Sequence, residues 1–189
     1  MAYSHKRWRK RISSVILAMR DTPFDTLFLV ETYCIRVSLF FICFCNICLI
    51  TLHDLYDGRI VSYVIGDHND TSLVFATFDQ AISENPGAEP LCHSDRGFQY
   101  TTRTFHKKLE AVGMTQSMSR VAKCIDKGPM EGFWGILKRE RYYGKRFGSR
   151  EELVSMIENY IDYYNNERYQ RRLGVLTPME KHNSYLRSI

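Results

Sequence analysis

The pattern of hydrophobic and polar positions changes near residue 50. Before it, a basic head is followed by an apolar, cysteine-rich run in which neither a helical nor a strand period is clear. After it, short apolar runs recur at strand or helix spacing, and turns that contain Gly or Pro separate them. We therefore expect a divergent segment at 1–50 and an ordered fold downstream.

Several runs from about residue 48 onwards predict β-strands. Residues 60–65 are rich in β-branched and aromatic side chains, and the turn signal Asp57-Gly58 joins them to 48–56, which predicts a β-hairpin. Residues 91–93 form a short apolar step before a polar loop, and 115–118 predict a short edge strand.

Apolar residues at helical spacing predict four helices, at about 74–82, 105–112, 130–137 and 149–164. At the start of the last one, Ser149 and Glu152 have the spacing of a capping box. Strands and helices that alternate in this order predict an α/β domain with a mixed sheet.

The length and composition are those of one globular domain. The chain has 189 residues, of which 44% are hydrophobic and 25% are charged, so extensive disorder is not expected. The net charge is +5, and between Asp95 and Arg150 there are 13 Lys or Arg residues against 5 Asp or Glu. Such a basic block is typical of a surface that meets phosphates; the alternative is a basic face that meets only solvent.

Two further features bear on the cellular compartment. The six cysteines have neither the spacing of a disulfide framework nor that of a zinc site, which favours free thiols in a reducing cytoplasm. The apolar stretch Val37–Leu52 has 16 residues and contains Asn46, whereas a membrane-spanning helix needs about 20 apolar residues. A small membrane-anchored protein stays as one alternative function.

Asp95 directly follows the predicted strand 91–93, in the sequence His93-Ser94-Asp95-Arg96-Gly97. A carboxylate at a strand end suits a metal ion, especially beside a glycine that lets the backbone come close. The alternative is a turn aspartate that hydrogen-bonds its own loop.

Glu131 lies in the first turn of the predicted helix 130–137, where the helix dipole also stabilises an acid for structural reasons alone. Lys138 follows seven residues later, which is nearly two turns. The two side chains therefore lie on one face, roughly 10 Å apart along the axis. An acid that holds a metal and a base that holds a phosphate can share that face.

Asp95 and Glu131 each lie in a short sequence motif, and three further motifs accompany them along the chain. The five motifs are HSDRGFQY at 93–100, GMTQSMSR at 113–120, MEGFWGILKRE at 130–140, YYNNER at 163–168 and LTP at 176–178. With 35 residues between Asp95 and Glu131, they resemble the integrase-core transposases of bacterial insertion sequences, in the large family conventionally numbered three. The word DLYDGRIV at 54–61 is similar to the second and third strands of that core, and the resemblance covers about 52–182.

The resemblance implies an RNase H-like mixed sheet flanked by helices, and a polynucleotidyl transferase of the DDE type. In that type three carboxylates hold two Mg²⁺ or Mn²⁺ ions, which assist the cutting and joining of DNA ends. The implied catalytic residues and metal ligands here are Asp95 and Glu131. The implied DNA-binding residues are Lys138, Arg139, Arg120, Lys123 and Lys127.

The first of the three carboxylates is absent from its expected place. The family carries it on the opening strand, in a window that falls here at residues 34–36, which are Cys, Ile and Arg. We therefore expect a degenerate opening strand and weak or no strand transfer. We hypothesise that residues 1–50 come from a shifted reading frame or a fused relic. Glu31 or Asp54 could take the place of the missing acid, but we favour neither.

These interpretations predict three parts: a divergent segment at 1–50, an integrase catalytic core at 51–170 and a tail of the core at 171–189. The expected partners are DNA, as transposon ends and target, and further copies of the chain in a homo-oligomer. The expected location is the bacterial cytoplasm, with the nucleoid. The leading function is a transposase core, in a truncated or inactive form, and the main alternative is a non-catalytic basic DNA-binding remnant on the same fold.

Overall fold

Strands and helices alternate along the part of the chain that the structure, a computed structural model, describes: residues 36–44, 47–118 and 128–188. The strands are β1 (Arg36–Phe44), β2 (Ile47–Asp54), β3 (Ile60–Gly66), β4 (Leu91–Ser94) and β5 (Thr115–Met118). The helices are α1 (Thr71–Glu84), α2 (Phe98–Thr101), α3 (Arg103–Ala111), α4 (Gly128–Leu137), α5 (Arg150–Asn166) and α6 (Pro178–Leu186). A π-helical turn at Lys138–Tyr142 follows α4.

The five strands form one mixed sheet in the order β3-β2-β1-β4-β5. β1 is antiparallel to β2 and parallel to β4, and β4 is parallel to β5. β2 and β3 form the predicted hairpin, and Gly58 takes the positive φ of 75° in its turn. β5 is the predicted short edge strand.

The sheet separates two hydrophobic clusters. All eight residues of β2 are buried, because helices cover this strand on both faces. Its even-numbered residues, such as Ile50, pack with α1 and α3, whereas Ile47 and Leu49 pack with α4 and α5. We call these sides the α1/α3 face and the α4/α5 face.

Side-chain caps begin four of the helices. Asp70, Thr102 and Ser149 accept the backbone N–H of the third residue of α1, α3 and α5, respectively. The predicted capping box at Ser149 is only half present, because the Glu152 carboxylate accepts the N–H of Gly148 instead of that of Ser149. The complete capping box lies at the start of α6, between Thr177 and Glu180.

The four predicted helices are confirmed as α1, α3, α4 and α5, while α2 and α6 were not predicted. The opening strand of the fold is present as β1, and the predicted boundary at residue 50 falls inside β2. The described parts of Val37–Leu52 are therefore strands of the sheet. Across the described ranges, no helix is long and apolar enough to cross a membrane.

Candidate active site

Asp95 lies in the loop after β4 and is partly buried. Its Oδ1 atom accepts the backbone N–H of Gly97 at 2.8 Å, which closes a tight turn. A Cβ atom at Gly97 would lie 2.9 Å from that oxygen, so the glycine makes room for the carboxylate. One carboxylate oxygen of Asp95 therefore has the turn role that the alternative interpretation gave it. This hydrogen bond is compatible with metal binding by the carboxylate.

A side-chain amide of β5 holds both ends of this loop. The Nε2 group of Gln116 donates to Ser94 Oγ and to the carbonyl oxygen of Tyr100, each at 3.0 Å. Ser94 and Tyr100 are buried, and this burial, together with the charge of Asp95, raises the pKa of the Tyr100 hydroxyl. Gln116 therefore fixes the residue before Asp95 and the helix that follows it, a role that the sequence analysis missed.

Glu131 lies near the start of α4, and its side chain falls outside the described residues. Phe133, Trp134 and Leu137 of this helix are buried on the α4/α5 face, which confirms that they are core residues. Cys92 of β4 packs on the α1/α3 face, so alternation along the strand directs its odd-numbered positions towards the face that α4 covers.

No carboxylate comes from β1, whose sequence is RVSLFFICF. In the β1–β4 register Ser38 pairs with His93, so Phe40 is level with Asp95. Phe40 also pairs with Thr51 of β2. Of the window predicted for the missing acid, 34–36, only Arg36 lies among the described residues, and it pairs with Leu91, four positions before Asp95.

Buried polar atoms without a hydrogen-bond partner lie on the same face. In the described part of the chain they include Thr51 Oγ1, His53 Nε2 and Trp134 Nε1. The His53 ring meets the Phe133 ring edge-on at 5.1 Å, and burial, with the charge of Arg172, lowers its pKa to about 3. Position 40 thus lies opposite a threonine hydroxyl that has nothing to bond.

The two nearest predicted DNA-binding residues open the π-helical turn after α4. Lys138 is partly buried there, and Arg139 is exposed. Arg120, Lys123 and Lys127 lie outside the described residues.

A second group of acids, which the sequence analysis did not single out as a site, lies at the β2–β3 turn. Asp57 is fully buried; its Oδ1 accepts the N–H of Arg59 at 2.8 Å, and its Oδ2 lies 2.9 Å from His182 Nδ1 of α6. Ligand atoms of Asp54, Asp57 and His182 lie within 4.8 Å of one another. The partner histidine is 125 residues away in sequence, so no local spacing could have revealed it.

This second group has the properties of a structural latch. Asp54 Oδ1 accepts the N–H of Tyr56 at 2.8 Å, and Arg59 Nε lies 3.9 Å from Asp57 Oδ2. Burial and the neighbouring Asp57 raise the pKa of Asp54 to about 6. Backbone N–H groups and His182 bond these carboxylates, and the Arg59 cation lies close to them, so we assign the group to the attachment of α6 to the β2–β3 turn.

The latch is separate from Asp95. Asp54 pairs with Val37, three positions before Phe40, which is about 10 Å along the strand. It also lies on β2, two strands from β4. Asp54 is thus the last residue of β2, away from the loop that carries Asp95.

Comparison with known proteins identifies the family. Two family models, both described as integrase core domain, match residues 35–124 and 131–186. A transposase-like protein of Haemophilus influenzae is 39% identical over 128 residues, which are 68% of this chain and 59% of that protein. The transposase for insertion sequence element IS904 of Lactococcus lactis is 35% identical over 135 residues, 69% of this chain and 53% of the relative. The chain belongs to the integrase-core transposases of bacterial insertion sequences.

Solved structures that resemble this transposase-family chain include retroviral integrase cores. The catalytic core of HTLV-2 integrase, in complex with magnesium, has a TM-score of 0.59 at 18% identity and covers 78% of this chain and 93% of that one. The core of BIV integrase has a TM-score of 0.57 at 16% identity, over 80% and 99% of the two chains. These likenesses confirm the predicted RNase H-like fold. The chain spans about half the length of the curated transposases that it matches.

Proposed function

We propose that this chain is the catalytic core, or a remnant of the core, of a transposase that cuts and joins DNA ends. The observation that carries the proposal is the position of Asp95. A glycine turn presents it at the end of β4, between β1 and β5, on the sheet order β3-β2-β1-β4-β5. The helix that bears Glu131 covers the face to which the odd-numbered positions of β4 point.

Asp95 and Glu131 are the proposed catalytic residues and metal ligands. Hard carboxylate oxygens suit Mg²⁺ or Mn²⁺, and Mg²⁺ binds proteins through one or two carboxylates and several waters. The two acids therefore fit one ion, and the second ion expected from the family would need the carboxylate that β1 lacks. Bound divalent ions supply stabilisation of the attacking and leaving oxygens in phosphodiester transfer. The magnesium in the HTLV-2 integrase core supports this choice of metal.

The proposed DNA contacts come from the basic residues beside these acids. Lys138 and Arg139 follow α4 directly, and Arg120, Lys123 and Lys127 precede it in sequence. Contacts from such residues to phosphates position DNA without reading its sequence. We further propose that 51–170 form the core and 171–189 its tail, and that copies of the chain assemble on DNA.

A joining assay tests the proposed activity. The chain is incubated with cut DNA ends that carry a free 3′-hydroxyl, a target duplex, and Mn²⁺ or Mg²⁺, and joined product is measured. We expect little product, and Asp95→Asn should remove what there is, because the amide cannot replace a charged metal ligand. Asn keeps an acceptor for the Gly97 N–H, so the variant should fold. Product that survives Asp95→Asn would overturn the assignment.

The absence of an acid from β1 favours a second candidate, a DNA-binding remnant without catalysis. The remnant should bind DNA with an affinity that falls steeply with salt, because phosphate contacts release counterions. It should give no joined product with either metal, in the same assay in which an intact transposase core does.

A further inference from the structure

The segment from Lys138 to Arg146, between α4 and α5, interleaves cations with tyrosines. Its sequence is KRERYYGKR, which has five Lys or Arg residues and one acid, Glu140. The first five residues form the π-helical turn, in which the Tyr143 N–H donates to the Lys138 carbonyl at 2.8 Å. π-helical turns are rare and are frequent at functional sites.

The one acid of this segment is held by α5 and the residues just after it. The Glu140 carboxylate accepts two bonds from Arg168 Nε and Nη2, the shorter at 2.8 Å, and a third from the Tyr160 hydroxyl at 2.9 Å. The bonds from Arg168 lower the pKa of Glu140, so it stays ionised and its charge is compensated. The charges left on the surface are positive, and the exposed cations are Arg139, Arg141, Lys145 and Arg146.

The two tyrosines have different surroundings. Tyr142 stacks on Phe147 with ring centroids 5.6 Å apart and 14° between the planes, and both rings pack against the cluster on the α4/α5 face. Tyr143 is 64% exposed, between Arg141 and Lys145 in sequence. The Tyr143 ring meets the Tyr142 ring edge-on, with centroids 6.1 Å apart. An exposed ring among cations is the combination with which proteins hold single-stranded nucleic acid, by base stacking and phosphate contacts.

The location of the segment suits a strand that leaves the proposed active site. Arg139 follows Glu131 by eight residues, which is about 12 Å along a helix. A few nucleotides of one DNA strand cover that distance.

We propose that Arg139, Arg141, Tyr143, Lys145 and Arg146 form a binding surface for an unpaired DNA strand. A base stacks on the Tyr143 ring, and the four cations contact the phosphates on either side. Only the origin of this strand, a DNA end at Asp95 and Glu131, rests on the proposed function; the binding itself does not.

Fluorescence anisotropy tests the surface, with the full chain, a labelled 15-nucleotide single strand of mixed sequence, and EDTA in the buffer. Tyr143→Ala should weaken binding by about fivefold to a hundredfold, and Tyr143→Phe should leave it within about twofold, because stacking needs only the ring. The double variant Lys145→Gln/Arg146→Gln should reduce the slope of log affinity against log salt by about 1.4. Its matched control, Arg103→Gln/Lys107→Gln, removes two exposed cations from α3 on the other face of the sheet.

The outcomes separate this surface from the proposed activity. Because EDTA removes divalent metal, the parent chain should bind the strand even if no joining is ever detected. If the two double variants lose equal amounts of salt dependence, DNA binding depends on the overall positive charge and not on this surface, and the proposal is overturned. Tighter binding of duplex, unaffected by Tyr143→Ala, would overturn it in favour of a duplex-binding surface.

Discussion

Two groups of carboxylates lie on the same sheet, two strands apart, and the fold uses them differently. At the β2–β3 turn, Asp54 and Asp57 are buried and bonded to backbone N–H groups and to a histidine of α6. At the end of β4, Asp95 is partly exposed in a glycine turn. Ligand atoms of Asp54, Asp57 and His182 lie within 4.8 Å of one another, but hydrogen bonds inside the fold engage these side chains. Asp95 lies at an accessible strand end, and this is the position that we propose for metal binding.

The largest effect should come from removing the acid of the latch. Asp57→Ala leaves His182 and Arg59 without their buried carboxylate, so we expect the free energy of unfolding to fall by about 4 kcal/mol. Asp95→Ala removes a hydrogen bond at a partly exposed loop and should cost about 1 kcal/mol. Urea denaturation at pH 7 measures both. Equal losses in the free energy of unfolding would mean that Asp57 is no more important for stability than Asp95.

The second prediction concerns the acid that β1 lacks. Phe40→Asp places a carboxylate level with Asp95 and opposite the unbonded hydroxyl of Thr51. If it completes the metal site, joined product with Mn²⁺ should rise by about a hundredfold or more, since metal assistance contributes several kcal/mol to such reactions.

A matched control exists one residue further along the strand. Position 41 pairs with Ile50, which packs on the α1/α3 face, so Phe41→Asp introduces the same charge on the side away from α4. Both variants place a carboxylate on the central strand of the sheet, so we expect similar costs in stability. If neither variant gains activity, or both gain equally, the register does not locate the missing ligand.

The third prediction uses the pH dependence of the latch. The pKa of Asp54 is raised from 3.8 to about 6 in the folded protein, so its ionisation opposes folding, and stability is lost as the pH rises through this range. Asp54→Asn removes the charge and keeps an acceptor for the Tyr56 N–H. Its free energy of unfolding should exceed that of the parent by about 3 kcal/mol at pH 8, and the difference should vanish near pH 3.5.

Urea denaturation of parent and variant across this pH range measures the difference. A constant difference at every pH would assign the effect to packing instead of to the charge of Asp54.

The elements that the sequence predicts well have an apolar stripe at a regular spacing or a turn signal between two apolar runs. α5 shows its apolar stripe at helical spacing, and the β2–β3 hairpin has the Asp57-Gly58 turn between two apolar runs. β1 escaped prediction because its run of apolar residues has no alternation. Such a run cannot be distinguished by periodicity from a buried helix.

The residues of the candidate site that the sequence could reveal are those inside a continuous sequence motif. Asp95 and Glu131 are each embedded in one, whereas Asp57 and His182 meet only after the chain has folded. The place of the missing acid depends on the register between β1 and β4, which no local pattern in the sequence shows. Gln116 is polar in a four-residue strand, and nothing local shows what its amide bonds.

The smallest effect we predict concerns that amide. Gln116→Leu retains much of the side-chain volume but withdraws the donor from Ser94 and Tyr100, so the loop of Asp95 should lose its fixed position. Residues that orient a metal ligand typically contribute tenfold or more to metal affinity, so we expect Mn²⁺ binding to weaken by about tenfold. Titration with Mn²⁺, followed by electron paramagnetic resonance of the free ion, measures this. Gln99→Leu is the control, because its amide binds Asn69 at the exposed side of the same loop. Unchanged affinity in Gln116→Leu, or an equal loss in the control, would show that Gln116 supports the fold without positioning Asp95.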